Sequence, residues 1–332
     1  MKRMIICVIM GVVSINFLNA QGRFSGQMFG DYYYVAANHD STYKGENGFW
    51  FRRIYFTYDY GINENFFTRF RIEANSPDFT KNSQKLVPFI KDAYLKWKIK
   101  KVDLILGISP TPTWDLIEDF WKYRSVEKTP LDLQKFGSSR DFGFSIKGKT
   151  GKEENLGYHF MFANGEGENS ENNRFKKLMG AIDFGVEHFV FQIYGDFEEG
   201  KKHTDKYTYQ GFLGIELGKF RIGAQFASQI REFEPDSQKV YEILSSFFVF
   251  NLNEKISFLL RYDKMFDPSP SGISYIPFAQ AKSNLLIAGI DLRPNEVISF
   301  IPNVEYIFYD KENDYKPGSD LYLRLTFYYN FK

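Results

Sequence analysis

The feature that most constrains this chain is the rhythm of its connections. Most of the 332 residues fall into alternating apolar–polar segments near 23–36, 48–60, 65–75, 87–99, 102–108, 140–149, 155–163, 176–184, 186–196, 206–217, 220–230, 240–250, 255–265, 283–293, 297–308 and 319–331. Between them lie short turns: GINE (61–64), KK (100–101), TGKEE (150–154), Gly185 alone, GK (218–219), NLNE (251–254) and PNE (294–296). Longer links fall at 37–47, 76–86, 109–139, 164–175, 197–205, 231–239, 266–282 and 309–318, and short and long alternate without a break. A soluble sandwich has no reason to gather its short turns at one end. A barrel crossing an outer membrane does. The expected fold is therefore all-β: a 16-stranded antiparallel transmembrane β-barrel. An even strand count closes the sheet, leaves no edge and encloses a water-filled lumen.

Face patterns agree in the clearest segments. In KFRIGAQFASQIR, Phe220, Ile222, Ala224, Phe226 and Ile230 share one face, and Arg221, Gln225, Gln229 and Arg231 the other. In KISFLLRYDK, Ile256, Phe258, Leu260 and Tyr262 oppose Ser257, Arg261 and Asp263. VYEILSSFFVF is less clear, with large apolar residues on both faces. The terminal LYLRLTFYYNFK alternates throughout, and the odd-numbered set from Leu321 to Phe331 is expected to face lipid. Its aromatic ending resembles the assembly signal of outer-membrane proteins, although Lys332 follows Phe331. A soluble chain could turn the same apolar faces into a core. The loop rhythm, the leader described next and this ending together favour the membrane. Aromatics make up 19% of the chain, which suits pleated surfaces and interfacial belts.

The N-terminus, MKRMIICVIMGVVSINFLNAQG, sets Lys2 and Arg3 before an apolar run and ends it near Ala20. That is the layout of a secretory leader, and the run is short for a bilayer span. Residues 1–20 are expected to be the signal peptide and 21–332 the barrel. Cys7, the only cysteine, lies in the leader, so the exported chain has no disulfide. It also lies too early to mark a lipoprotein. The formal charge of +1 (42 basic, 41 acidic) gives no sign of a nucleic-acid partner.

The link 109–139 is the longest. Trp114, Ile117 and Trp121 in WDLIEDFWKYR recur at helical spacing, and Thr113 is placed to cap the helix. Asp115, Glu118 and Asp119 precede Lys122 and Arg124, the order that the helix dipole favours. A long, partly helical loop in a wide barrel can fold inward, so these residues are the expected constriction. An extracellular flap or a subunit contact is the alternative.

Several stretches occur in a telling order: FWFRRIYFTYDYGINENFFTRFRIEA, PFIKDAYLKWKI, VDLILGISPTPTW, SSRDFGFSIKGK and YHFMFANGEGEN. Over roughly residues 48–168 the chain resembles the phosphate-selective porin O and P family of outer-membrane channels. The resemblance implies a sixteen-stranded barrel in the outer membrane of a Gram-negative-type bacterium. It further implies a homotrimer, outer-membrane lipid around it, and small hydrophilic solutes, anions such as phosphate among them, passing through without a cofactor. Strand parity makes Arg53, Arg69, Arg71, Lys96, Lys98, Lys147, Arg221, Arg261 and Arg324 the candidate bases lining the pore and contacting solute. Asp59, Glu73, Asp92, Asp141, Glu216, Asp263 and Glu305 fall on the same faces. A ring of one sign sets selectivity; so mixed a lining should discriminate weakly. Adjacent Arg52 and Arg53 should point oppositely. Arg53 is expected inside, with Arg52 at a rim, a bulge or a subunit contact.

Other motifs point elsewhere. GFSIKGKT (143–150) fits the phosphate-loop pattern, but its residues alternate as a strand and another strand follows. His39, His159, His188 and His203 lack metal-ligand spacing. DKENDYKPGSD (310–320) has Tyr315 where a calcium loop needs glycine. Trp50 and Trp97 are expected in interfacial girdles. Besides a porin, a plugged structural or adhesive barrel and a barrel enzyme are the readings to separate, although no nucleophile–base motif supports the last.

Overall fold

A computed structural model describes residues 22–76, 85–202, 204–233, 237–270, 281–311 and 316–331. The expected leader, Gln21, Lys332 and parts of five long links, His203 and Tyr315 among them, lie outside these residues. Sixteen strands form: β1 Gly22–Ala37, β2 Asn47–Gly61, β3 Phe66–Asn75, β4 Val87–Ile99, β5 Val102–Pro110, β6 Arg140–Thr150, β7 Leu156–Ala163 and β8 Lys177–Val186. They continue as β9 Phe189–Glu198, β10 Lys206–Leu217, β11 Phe220–Phe233, β12 Ser237–Asn251, β13 Ile256–Met265, β14 Ser283–Asn295, β15 Ile298–Tyr309 and β16 Asp320–Phe331. Each pairs antiparallel with its neighbours in sequence. β16 returns to β1, from Phe331 opposite Gly26 to Arg324 opposite Tyr33, and closes the barrel. The chain end is thus stitched into the sheet.

Period-2 alternation sorts the two faces. Outside, Leu323, Leu325, Phe220, Ile222, Phe226, Phe258 and Leu260 stand exposed. An apolar belt of this extent has no place in water, and lipid satisfies it. Trp97 stacks on Phe66 at the short-turn end of this belt, centroids 5.6 Å apart. GFSIKGKT lies wholly within β6 and leads through a single 3-10 turn, Lys152–Glu154, to β7, so no α-helix follows its glycines.

Three local expectations need correction. The β8–β9 turn is Glu187–His188, not Gly185. Gly185 pairs with Val190 inside the ladder, and Glu187 takes the left-handed conformation instead (φ 43°). His188 is accordingly a turn residue. Trp50 is not a girdle residue: its indole N–H donates to the Asp31 carboxylate on the barrel's inner side (3.1 Å). The cause is a β-bulge. Arg53 pairs with Phe29, but Phe51 pairs with the next residue, Gly30, so Arg52 is the extra residue. A bulge reverses parity beyond it. Trp50 therefore turns inward, while Phe51 packs on lipid-facing Phe327 (5.5 Å). Arg52 and Arg53 both point inward.

The 111–139 loop folds into the lumen. It contains helix α1 Trp114–Trp121 and a single turn, α2 Pro130–Leu133. Trp114, Ile117 and Trp121 are all buried, as their spacing implies. Thr113 makes no side-chain cap. Its hydroxyl instead accepts from Gln210 Nε2 (2.5 Å) and donates to Gln192 (3.5 Å), both on the barrel wall.

Candidate functional site: the constricted lumen

The loop rests on one side of the barrel wall, where apolar patches stand among inward polar residues such as Gln210, Gln225 and Arg261. Ile117, Trp121, Tyr123 and Val126 pack with Phe212, Phe247, Val249, Leu259, Leu285, Ile287 and Ile301. Trp114, Leu131 and Phe136 pack with Ala227, Tyr241, Ile243 and Met265. Burial of large side chains of this kind contributes about 1.5–3 kcal/mol each.

Polar contacts fix the loop's position. Arg52 donates to the backbone oxygens of Ser125 (3.1 Å) and Val126, and to Glu127 Oε1 (3.1 Å). Its Nε lies 3.6 Å from Asp31. Glu127 is also within 3.8 Å of Arg324, which pairs in turn with Glu305. Arg261 pairs with Asp263, donates to the Lys128 oxygen (2.5 Å) and lies 5.5 Å from the Trp121 ring centre. Each buried guanidinium in this set has a carboxylate, as burial of charge requires.

The loop's other edge holds Glu118, Arg124 and Asp132. Arg124 bridges the two acids, at 3.3 Å to Glu118 and 3.0 Å to Asp132. Burial pushes the Asp132 carboxyl up, but the charges of Lys128, Arg124 and Arg53 outweigh it and hold Asp132 below the usual carboxylate range. Asp119 goes the other way. Burial raises it, with Asp115 and Glu118 adding to the effect.

The wall from β2 to β6 carries most of the lumenal bases. Arg53 and Arg71 sandwich the Tyr55 ring, at 5.0 and 4.9 Å from its centre. Arg53 pairs with Glu73 (2.9 Å), Arg71 with Asp92 (3.1 Å) and Arg69 with Asp59 through two bonds (2.7 and 2.9 Å). Arg140 also holds Asp92 (2.5 Å), and Lys91 reaches Glu73 (3.4 Å) and Glu168. Lys96 lies 3.4 Å from Asp103, and Lys147 lies 3.6 Å from Asp115 on the loop.

Two cavities flank the loop. One of about 480 Å³ opens toward the long loops and is lined by Arg53, Glu73, Lys91, Lys128, Asp132 and Lys177, among others. The other, about 540 Å³, opens toward the short turns beneath Lys122 and Tyr123.

The nine bases singled out by parity thus fall into groups. Arg53, Arg69, Arg71, Lys96 and Lys147 gather on the β2–β6 wall, each beside a carboxylate. Lys98 stands exposed at the short-turn rim, opposite Asp103 in register. Arg221, Arg261 and Arg324 face inward but are largely covered by the loop, each under 5% exposed, and Arg221 borders the short-turn cavity. Among the loop residues, Asp115, Glu118 and Arg124 make the ion pairs given above. Lys122, left-handed at the end of α1 (φ 64°), lines the short-turn cavity, and Trp114 is buried against the wall.

Sequence reasoning missed Glu127, Lys91, Arg140 and Asp132. Arg52 stands at a bulge, one of the three placements its adjacency to Arg53 allowed, but its hold on the loop was not foreseen. The apolar inner wall did leave a signal: the two-faced hydrophobicity of VYEILSSFFVF marks Ile243, Phe247 and Val249.

The fold defined by this barrel and its inward loop is that of the porins. No family model matches the chain, and no curated protein matches it. Solved structures do. An anion-selective porin from Comamonas acidovorans aligns with a TM-score of 0.70 at 10% identity, covering 94% of this chain and 100% of that one. OmpT, an outer membrane protein of Vibrio cholerae in trimer form, aligns at 0.66 with 9% identity, over 94% and 99%. OmpF of Salmonella typhi, in complex with daunomycin, aligns at 0.66 with 12% identity, over 94% and 98%. At such identities the likeness is one of fold.

Proposed function

We propose that this chain is an outer-membrane porin. Residues 1–20 direct export, and 21–332 form a barrel through which small hydrophilic solutes diffuse passively. The observation that carries this reading is the division of the lumen. One side of the inner wall carries apolar patches and is covered by the loop. The opposite side, β2 to β6, is rich in paired charges and faces the loop's Glu118–Arg124–Asp132 edge. Solutes pass between that edge and the Arg53–Tyr55–Arg71 stack.

The pairing of the wall's bases with carboxylates shapes selectivity. An ion pair presents a short-range dipole, not a long-range field, so the channel admits both signs with a mild preference. Anions, phosphate included, are among the permeant solutes, and the arginine stack is where they are held. The porin fold supports a conduit rather than an enzyme. A homotrimer is the assembly we expect, the form named for the Vibrio cholerae protein.

Purified protein in planar bilayers tests the reading. Stepwise conductance in KCl is the expected result. Folded, heat-modifiable protein that gives no steps would overturn it in favour of a plugged barrel, the reading favoured by the loop's tight anchorage.

A further inference from the structure

We propose that the short-turn cavity is a binding site for a small monoanionic carboxylate, held by Arg221. Four arginines are buried among the described residues: Arg52, Arg221, Arg261 and Arg324. Three have carboxylates within ion-pair distance. Arg221 has none among the described residues, although it is only 3% exposed. Glu216 stands opposite it in the β10–β11 register without closing a pair. Its hydrogen bond is a long one, 3.4 Å from Nη2 to the Trp121 carbonyl, and its Nε has no partner.

A buried guanidinium left in this way is costly, because desolvation is not offset by a counter-charge. Elsewhere in this barrel the same demand is met from within the chain. Here the guanidinium lines a cavity of about 540 Å³ that is open to the short-turn side. Loop residues Lys122 and Tyr123 roof that cavity, and Asp291, Arg293 and Ser299 stand across it.

The chemistry of the lining selects the ligand. A planar guanidinium matches a carboxylate better than any other small anion except phosphate. Asp291 sits in the same cavity with Oδ1 unpartnered; its Oδ2 accepts from the Tyr123 hydroxyl (3.2 Å). Asp291 Oδ2 also lies 3.3 Å from Arg293 Nε, so its charge is largely answered within the chain. The lining as a whole sets Lys122, Lys219, Arg221 and Arg293 against Glu216, Glu254, Asp291 and Glu296, a balance that suits a monoanion rather than a dianion. Access is from the short-turn mouth, so occupancy does not require passage through the constriction. The ligand would then bridge the Arg221 wall and the underside of the loop.

The test uses the full barrel in detergent micelles, with acetate as the probe and saturation-transfer NMR as the readout. Wild-type protein is expected to transfer saturation to acetate in a dose-dependent way, with sulfate a weak competitor. Arg221→Gln should weaken acetate binding about tenfold or more, the effect of losing a charge-assisted hydrogen bond. Arg221→Lys, which keeps the charge, should fall between, and heat-modifiability on gels verifies folding of each. Absence of transfer to wild type, equal binding by a folded Arg221→Gln variant, or sulfate outcompeting acetate would overturn the proposal. KCl conductance is recorded on the same preparations. Protein that binds acetate without conducting removes the porin reading and leaves this site standing.

Discussion

Glu73 is the carboxylate whose removal should change the channel's preference most cleanly. It lies on β3, 1% exposed, with Arg53 Nε at 2.9 Å and Lys91 Nζ at 3.4 Å. All three line the cavity on the long-loop side. Glu73→Gln keeps the shape and the bond that Asn75 donates to Oε1 (3.0 Å) but deletes one negative charge. For a permeant ion about 5 Å away in a water-like medium, that charge is worth roughly 0.8 kcal/mol. Screening at ~0.1 M salt reduces this to about 0.5 kcal/mol. An anion gains this amount and a cation loses it, so the difference is about 1 kcal/mol, or roughly a fivefold change in the chloride-to-potassium permeability ratio. Reversal potential in a KCl gradient measures the ratio directly. The variant should become anion-selective, and Arg53→Gln should shift the potential the opposite way. Unchanged reversal potentials in a folded, conducting Glu73→Gln channel would refute the view that ions pass this pair.

Three further perturbations address the loop and its frame. Trp121 is fully buried, with Phe247 4.9 Å and Tyr123 5.5 Å away, so Trp121→Ala should loosen loop docking by about 3–5 kcal/mol. Larger and noisier conductance steps are the expected reading; wild-type steps would show that docking does not rest on this ring. Asp132, held below the usual carboxylate range, stabilises the docked loop at neutral pH, and this contribution disappears only as pH falls through its depressed value. Channel noise should therefore stay flat on acidification until the pH is below the ordinary carboxylate range, and Asp132→Asn should remove that transition. Gly107 lies at φ 128°, and a Cβ there would meet the Ala93 oxygen at 2.2 Å. Gly107→Ala should cost at least about 1–3 kcal/mol and lower the yield of folded barrel, read as the heat-modifiable fraction on gels.

The strands were legible because lipid on one side and water on the other impose a period of two on nearly every segment. All sixteen observed strands lie within a few residues of the segments marked from sequence. What escaped had no local signature. The extra residue in β2 changes the partner of Phe51 without disturbing the hydrophobic pattern, so Trp50 was assigned to the wrong face. Ion pairing escaped for a similar reason. Parity places Arg53 and Glu73 on one face, but only the register of β2 against β3 makes them neighbours. Arg261 and Arg324 carry the parity of pore-lining residues, and only the path of the 111–139 loop shows that they are covered. The helix within that loop was readable from Trp114, Ile117 and Trp121. The wall that receives it was readable only as a blemish in the alternation of β12.

That blemish bears on how the barrel is born. Strands β12, β14 and β15 are greasy on both sides, so their own composition does not tell a nascent sheet which side to offer to the bilayer. Phe247 and Phe248 are nearly equivalent until Trp121 claims the first. The loop therefore acts as a folding template as well as a constriction: by covering one greasy side, it leaves the other as the only one to present to lipid. A chain lacking residues 111–139 would not simply be a wider pipe. It would be a sheet with two outsides along these strands, open to misinsertion and to association with other chains.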